Sequence, residues 1–196
     1  MKTPDLLLAL KPVVDAFDRL SIPYYIGGSL ASSAYGTPRT TMDADVVADL
    51  ALAEVPSLVE LLRDRYYVSD VMMANAIAGT SSFNLIHLET MVKIDVFVLK
   101  KDPYHQSAFA RRREDRLVED DPDSVVCLSS AEDIILSKLQ WYEMSQRVSE
   151  RQWLDILGVI KVQGDSLDRE YLINWAETLG VSDLLRRAWS ESGMPL

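Results

Sequence analysis

The chain has 196 residues, a formal net charge of -10, 48% apolar residues and 26% charged residues. That is the make-up of an ordinary soluble globular protein, long enough for one good-sized domain or a core domain with a smaller companion. The acidic balance argues against broad, nonspecific DNA or RNA binding, no apolar run approaches the roughly 20 residues that span a bilayer, and the single cysteine, Cys127, excludes an internal disulfide or a cysteine metal cage.

Residues 5–20 place Leu6, Leu10, Val13, Val14, Phe17 and Leu20 at a 3.6-residue period, which predicts an amphipathic helix rather than a signal peptide. With no membrane signal and one cysteine, a cytoplasmic location without membrane partners is expected. "IPYYIGG" reads as a short strand ending in a glycine turn. "SLASSAYG" reads as a short helix, with Ser29 as a candidate cap and Gly36 as its stop. "DADVVADL" reads as a strand and "LAEVPSLVELLRDR" as a second amphipathic helix. "SSFNLIHLE" and "MVKIDVFVLK" read as a hairpin.

After Asp102 the texture changes. The polar stretch to Ser124 is expected to form a helix plus a connecting loop. Within it "RRREDR", Arg111 to Arg116, is the one candidate basic patch and reads as a solvated helix face. From "SSAEDIILSKLQWYEMS" onward the pattern is helical throughout. Gly164 and Gly180 are expected helix ends, and Ser166 and Ser182 expected caps. All four tryptophans, Trp141, Trp153, Trp175 and Trp189, fall here and suggest a helical core. The outline is a mixed α/β (α+β) core over residues 1–125, followed by a small helical domain over 126–196.

Three aspartates stand where buried strand residues are expected. Residues two apart on a strand share a face, so Asp43 and Asp45 project the same way. Like charges this close repel, and a divalent cation between them is the usual relief. Mg²⁺ suits such hard oxygen donors. Asp95 sits in "KIDVFV", among apolar neighbours that make an unpaired charge expensive. If its strand lies beside that of Asp43 and Asp45, the three form one metal cluster, and such clusters often hold two ions. Upstream, Gly27, Gly28 and Ser29 lie between a strand and a helix start. Glycines admit close backbone approach, and a helix N-terminus presents free N–H groups to an anion, so a triphosphate fits there.

The series "GGS" at 27–29, "DAD" at 43–45 and "KIDVFV" at 93–98 resembles the nucleotidyltransferase superfamily with the DNA polymerase β-like fold. "GTPRTTMDADVV" is most similar to its bacterial stand-alone members, including the AbiEii-like abortive-infection toxin branch. The tail stretches "DIILSKLQWY" and "RQWLDILGV" resemble the lysine and aspartate motifs of that branch. The resemblance implies a nucleotidyltransferase-type mixed sheet with flanking helices. It implies Asp43, Asp45 and Asp95 as catalytic, metal-holding residues. Gly27, Gly28, Ser29, Arg39, Thr41, Lys93, Lys138 and Asp155 would serve the nucleotide. The implied partners are an NTP, an unidentified acceptor (tRNA, protein or small hydroxylated molecule) and an antitoxin.

Lys138 lies in the middle of an apolar helix face, where it must snorkel or find an anion. Asp155 falls beside Arg151, on a solvated face or in a functional role. Arg39 either holds phosphate or braces the loop by pairing with an acid. Lys93 shares the face of Asp95 and either reaches phosphate or balances the acids. His87 is assigned to structure or to the rim of the site. Two other readings stand beside this one: a glycosyltransferase whose DxD holds a metal–nucleotide-sugar, and a non-catalytic nucleotide-binding interaction module.

Overall fold

Alternation along the central strands decides the architecture. In the computed structural model, which describes residues 5–117 and 124–194, β2 (Asp43–Ala48), β4 (Ser82–His87) and β5 (Lys93–Val98) bury every second residue and leave the others half-buried or exposed. A period of two with one closed and one open face is the signature of a sheet covered on one side. The remaining strands are β1 (Tyr24–Ile26), β3 (Tyr66–Tyr67), β6 (Arg113–Arg116) and β7 (Val125–Leu128), and the order across the sheet is β3-β4-β5-β2-β1-β7-β6. β2 runs parallel to β5 and β1 parallel to β7; the other pairs are antiparallel. The fold is a mixed α/β one.

The chain divides into two compact units, Met1–Gly27 with Thr41–Leu128, and Gly28–Thr40 with Ser129–Leu196. The first holds the whole sheet. Its helices are α1 (Asp5–Arg19), α3 (Val55–Leu62), α4 (Asp70–Gly79) and α5 (Pro103–Ala110). α1 meets the sheet at β2, α4 meets it at β4, and α3 packs against both helices. On the open face Tyr25, Leu99 and Phe109 form a small core, against which Val47 and Cys127 pack. Cys127 thus packs as a half-buried apolar side chain, and burial pushes its thiol pKa up, away from reactivity.

One local expectation fails for an identifiable reason. Arg113–Arg116 is an edge strand paired with β7, not a helix face, and all four residues are exposed. A charged edge strand has no buried side, so it shows no alternation to read, and its charges discourage further pairing. The loop expected to follow lies, over residues 118–123, outside the described residues. β3 and α4 went unread because their stretch is short and weakly patterned.

The second unit is helical: α2 (Gly28–Tyr35), α6 (Ala131–Met144), α7 (Glu150–Gln163), α8 (Arg169–Thr178) and α9 (Ser182–Glu191). Ser130 caps α6 and Asp168 caps α8, each accepting a backbone N–H three residues on. The cap of α8 is therefore Asp168 and not Ser166, while Ser182 is the first residue inside α9. Trp153 and Trp189 are buried, but Trp141 is 52% exposed. Where α2 ends against α7 the backbones nearly touch. A Cβ on Gly36 would stand 2.8 Å from the Val159 nitrogen. Among the described residues no helix is long and apolar enough to cross a membrane.

Candidate active site

Strand register carries the acids of the first unit onto one face. Asp45 and Asp95 are direct partners across the parallel β2–β5 pair, and Asp43 partners Lys93. Because Asp43, Asp45, Lys93 and Asp95 each alternate with a buried residue, all four project from the open face. The pairing of β4 with β5 sets Asn84 beside Asp95 and Ile86 beside Lys93. The pairing of β3 with β4 adds Tyr67 beside Ile86. On the other flank the Gly27 N–H donates to the Asp45 carbonyl at 2.9 Å. One row across the sheet therefore reads Gly27, Asp45, Asp95, Asn84, and the next reads Asp43, Lys93, Ile86, Tyr67.

Two polar contacts at these rows are short. The Lys93 ammonium meets Asp95 Oδ2 at 2.6 Å. That hydrogen bond raises the lysine's pKa against a weaker opposing pull from burial. The Thr41 hydroxyl donates to Asp43 Oδ1 at 2.6 Å. Three carboxylates on one face are the hard donor set that Mg²⁺ prefers, so the chemistry of the donors fits. Among the described residues, however, no three acid, histidine or cysteine side chains are gathered as a metal-holding group.

The second unit holds a different cluster. Gly28 takes a φ of +53° at the start of α2, a left-handed turn that favours glycine and leads the chain into the helix. Ser29 follows in the first turn, and its hydroxyl accepts from Arg39 Nη2. The Arg39 guanidinium grips Asp155 with two nitrogens, Nε to Oδ1 at 2.9 Å and Nη2 to Oδ2 at 3.1 Å. Behind it the Lys138 ammonium donates to Asp155 Oδ2 at 2.8 Å and to Gln152 Oε1 at 2.9 Å. The side chains of Lys138, Asp155 and Arg39 are 4%, 8% and 25% exposed. Burial works to raise the Asp155 pKa, but the hydrogen bonds from Arg39 and Lys138 outweigh it and hold the carboxyl below its usual range.

Of the alternatives open in the sequence, Lys138 finds an anion and Arg39 pairs with an acid. Asp155 is not on a solvated face. Gln152 went unread, although it precedes Asp155 by one helical turn on the same side of α7. Asn84 and Tyr67 went unread as well. Alternation places Asn84 opposite Phe83 and Leu85, yet its neighbour across the sheet depends on register. His87 is buried on the closed face, its Nδ1 2.8 Å from the Thr90 hydroxyl and its ring against Tyr66. It is structural and turned away from the acids.

No family model and no curated protein matches the sequence. Solved structures do share its fold. A nucleotidyltransferase-like antigenic protein from Paracoccidioides brasiliensis is 19% identical, with 97% of this chain and 93% of that one covered and a TM-score of 0.59. The antibiotic-resistance factor ANT(2'')-Ia is 15% identical over 95% and 94% of the two chains, with a TM-score of 0.55. The lincosamide antibiotic adenylyltransferase LnuA, solved with lincomycin bound, is 15% identical over 82% and 98%, with a TM-score of 0.51. These likenesses establish the fold, and each spans nearly the whole of the other chain.

Proposed function

We propose that this chain is a Mg²⁺-dependent nucleotidyltransferase that moves an NMP from an NTP to an acceptor hydroxyl and releases pyrophosphate. The observation that carries the reading is the register of Asp45 with Asp95, with Asp43 two residues along the same strand and on the same face. Three acids retained on the open side of a sheet are costly to the fold and useful to phosphoryl chemistry. Asp43, Asp45 and Asp95 would hold the metal, which when bound neutralises phosphate charge and activates the attacking oxygen. Asp95 would also accept the proton of the acceptor hydroxyl.

Each further residue has a role drawn from its contacts. Gly27 and Gly28 leave room for phosphate at a strand end, and Ser29 stands in the first turn of α2, where N–H groups face an anion. Arg39 is the partly exposed cation of its cluster and would bind a phosphate oxygen. Lys138 and Asp155 are too buried to do so and would act by holding Arg39 in place. Thr41 would orient Asp43, and Lys93 would shift from Asp95 to the nucleotide as the ion enters. Two of the structures sharing the fold are by name an antibiotic-resistance factor and a lincosamide adenylyltransferase, which favours a small-molecule acceptor here. A toxin role with an antitoxin partner rests on the sequence resemblance at Lys138 and Asp155.

One observation favours a second reading, a non-catalytic nucleotide-binding module: Lys93 already neutralises Asp95. Incubation with each α-³²P-labelled NTP and Mg²⁺, with and without cell extract, separates the two. Label transferred by the native chain and lost in Asp43→Asn/Asp45→Asn establishes the transferase. Tight NTP binding with no released pyrophosphate in any arm establishes the module instead.

A further inference from the structure

We infer that the open face of β3 and β4 is the acceptor subsite, that it takes a neutral hydroxylated ring compound such as a sugar, and that Asn84 and Tyr67 select it. The inference rests on the transferase reading above and specifies its acceptor. The order of the strands supplies the direction. In-line transfer places the incoming oxygen opposite the leaving pyrophosphate. The row that reads Gly27, Asp45, Asp95, Asn84 puts the glycine turn at one end and Asn84 at the other, with the two acids between. If the phosphates lie toward the glycines, the acceptor approaches over β4.

What that face offers is chemically narrow. Its outward residues are Ser82, Asn84 and Ile86 on β4 and Tyr67 on β3, since Phe83, Leu85, His87 and Tyr66 are buried on the other side. None of the four carries a charge. A polycationic acceptor would want carboxylates here, and a nucleic-acid backbone would want arginines or lysines. An amide, a hydroxyl, an aliphatic side chain and a tyrosine ring 58% exposed instead suit a ring with both apolar edges and hydroxyl groups. Partners directly opposite in an antiparallel pair hold their Cβ atoms about 4.5–5.5 Å apart, which sets the Asn84 amide next to Asp95. There it orients the acceptor hydroxyl toward the carboxylate. In the step itself the acceptor oxygen bonds to the α-phosphorus, the bond from that phosphorus to the bridging oxygen breaks, and pyrophosphate leaves. The hydroxyl proton passes to Asp95.

Three sugars differing in charge test this: glucose, glucosamine and glucose 6-phosphate, each supplied at high concentration with α-³²P-NTP and Mg²⁺. The readout is the ratio of sugar-linked NMP to free NMP, the product of water attack. A ratio taken within one reaction is insensitive to how much of a variant has folded. Glucose is expected to exceed both charged sugars by about tenfold or more, roughly 1.4 kcal/mol of discrimination. Asn84→Asp should turn the preference toward glucosamine, and Tyr67→Ala should lower the glucose ratio by a similar factor. A charged sugar preferred by the native chain, or ratios unmoved in both variants, overturns the inference. So does free NMP as the sole product in every arm, which leaves the transferase reading intact. No NMP and no ester in any arm overturns this inference, while the labelled-NTP incubation with cell extract decides the transferase reading separately.

Discussion

The two units treat charge in opposite ways. In the sheet unit, acids project from an open face, and Asp95 pairs there with Lys93, whose side chain is 47% exposed. In the helical unit, Lys138, Asp155 and Arg39 are drawn into a chain of hydrogen bonds with little water access. Exposed like charges do little for a fold, whereas a buried ion pair becomes costly as soon as one member is lost. The first arrangement has the economics of a reaction site and the second that of a brace. Substitutions at the sheet acids and at the buried Lys138–Asp155 pair should therefore separate activity from stability.

The largest effect is expected from the sheet acids. Asp43→Asn/Asp45→Asn should lower nucleotidyl transfer by roughly 10⁴-fold or more, about 5.5 kcal/mol of transition-state stabilisation. Its urea midpoint should stay level or rise, because like charges leave an open face. Loss of folding together with activity would make these acids structural and would break the contrast. Chelation of Mg²⁺ by EDTA should abolish transfer with no change in the unfolding midpoint.

Next is the brace. Asp155→Ala leaves a buried ammonium and a guanidinium without their shared carboxylate, which should cost roughly 3–5 kcal/mol in chemical denaturation. Lys138→Met keeps the Arg39–Asp155 grip and fills similar volume, so it should cost less, about 1–3 kcal/mol. If Asp155→Ala instead left stability unchanged and removed only activity, the helical cluster would belong with the reaction and not with the fold.

How far the sequence reached follows the same division. Asp43, Asp45 and Asp95 were legible because charge inside a β-type apolar run is anomalous and period two fixes a shared face. That the strands of Asp45 and Asp95 are neighbours was a guess from pattern, since register depends on pairings far apart in sequence. The row holding Asn84 and Tyr67 was hidden for that reason, neither residue being unusual on its own strand. In the helical unit Lys138 stood out on its apolar face, while Asp155 stood open between a solvated face and a functional role. A helical wheel ranks its side as polar, yet 116 residues of separation hide the Arg39 that covers it. The edge strand Arg113–Arg116 had no apolar side to announce it.

A smaller effect is expected where α2 meets α7. An alanine at Gly36 would bring its Cβ to 2.8 Å from the Val159 nitrogen and 2.9 Å from the Ser32 carbonyl oxygen, both backbone atoms that cannot swing aside. Overpacking of this kind should cost about 1–3 kcal/mol. The equivalent change at Gly79, where the nearest atom is a serine hydroxyl at 3.8 Å, should be nearly neutral by comparison.

The smallest effect concerns acid. Asp155 is held below its ordinary value of 3.8 by Arg39 and Lys138, which prevail over burial. A carboxylate whose folded pKa is depressed contributes stability that is fully present above its unfolded pKa. That contribution is lost as pH falls through the folded value. The stability difference between the native chain and Asp155→Asn should therefore stay level from about pH 7 to pH 5 and shrink only in stronger acid. Urea titrations of both proteins across that range measure it directly. A difference that narrows already between about pH 6 and pH 5 would mean that burial prevails at Asp155, so that the carboxyl takes up a proton early. The helical cluster would then be a protonatable site, and its likeness to the open acids of the sheet would outweigh the contrast.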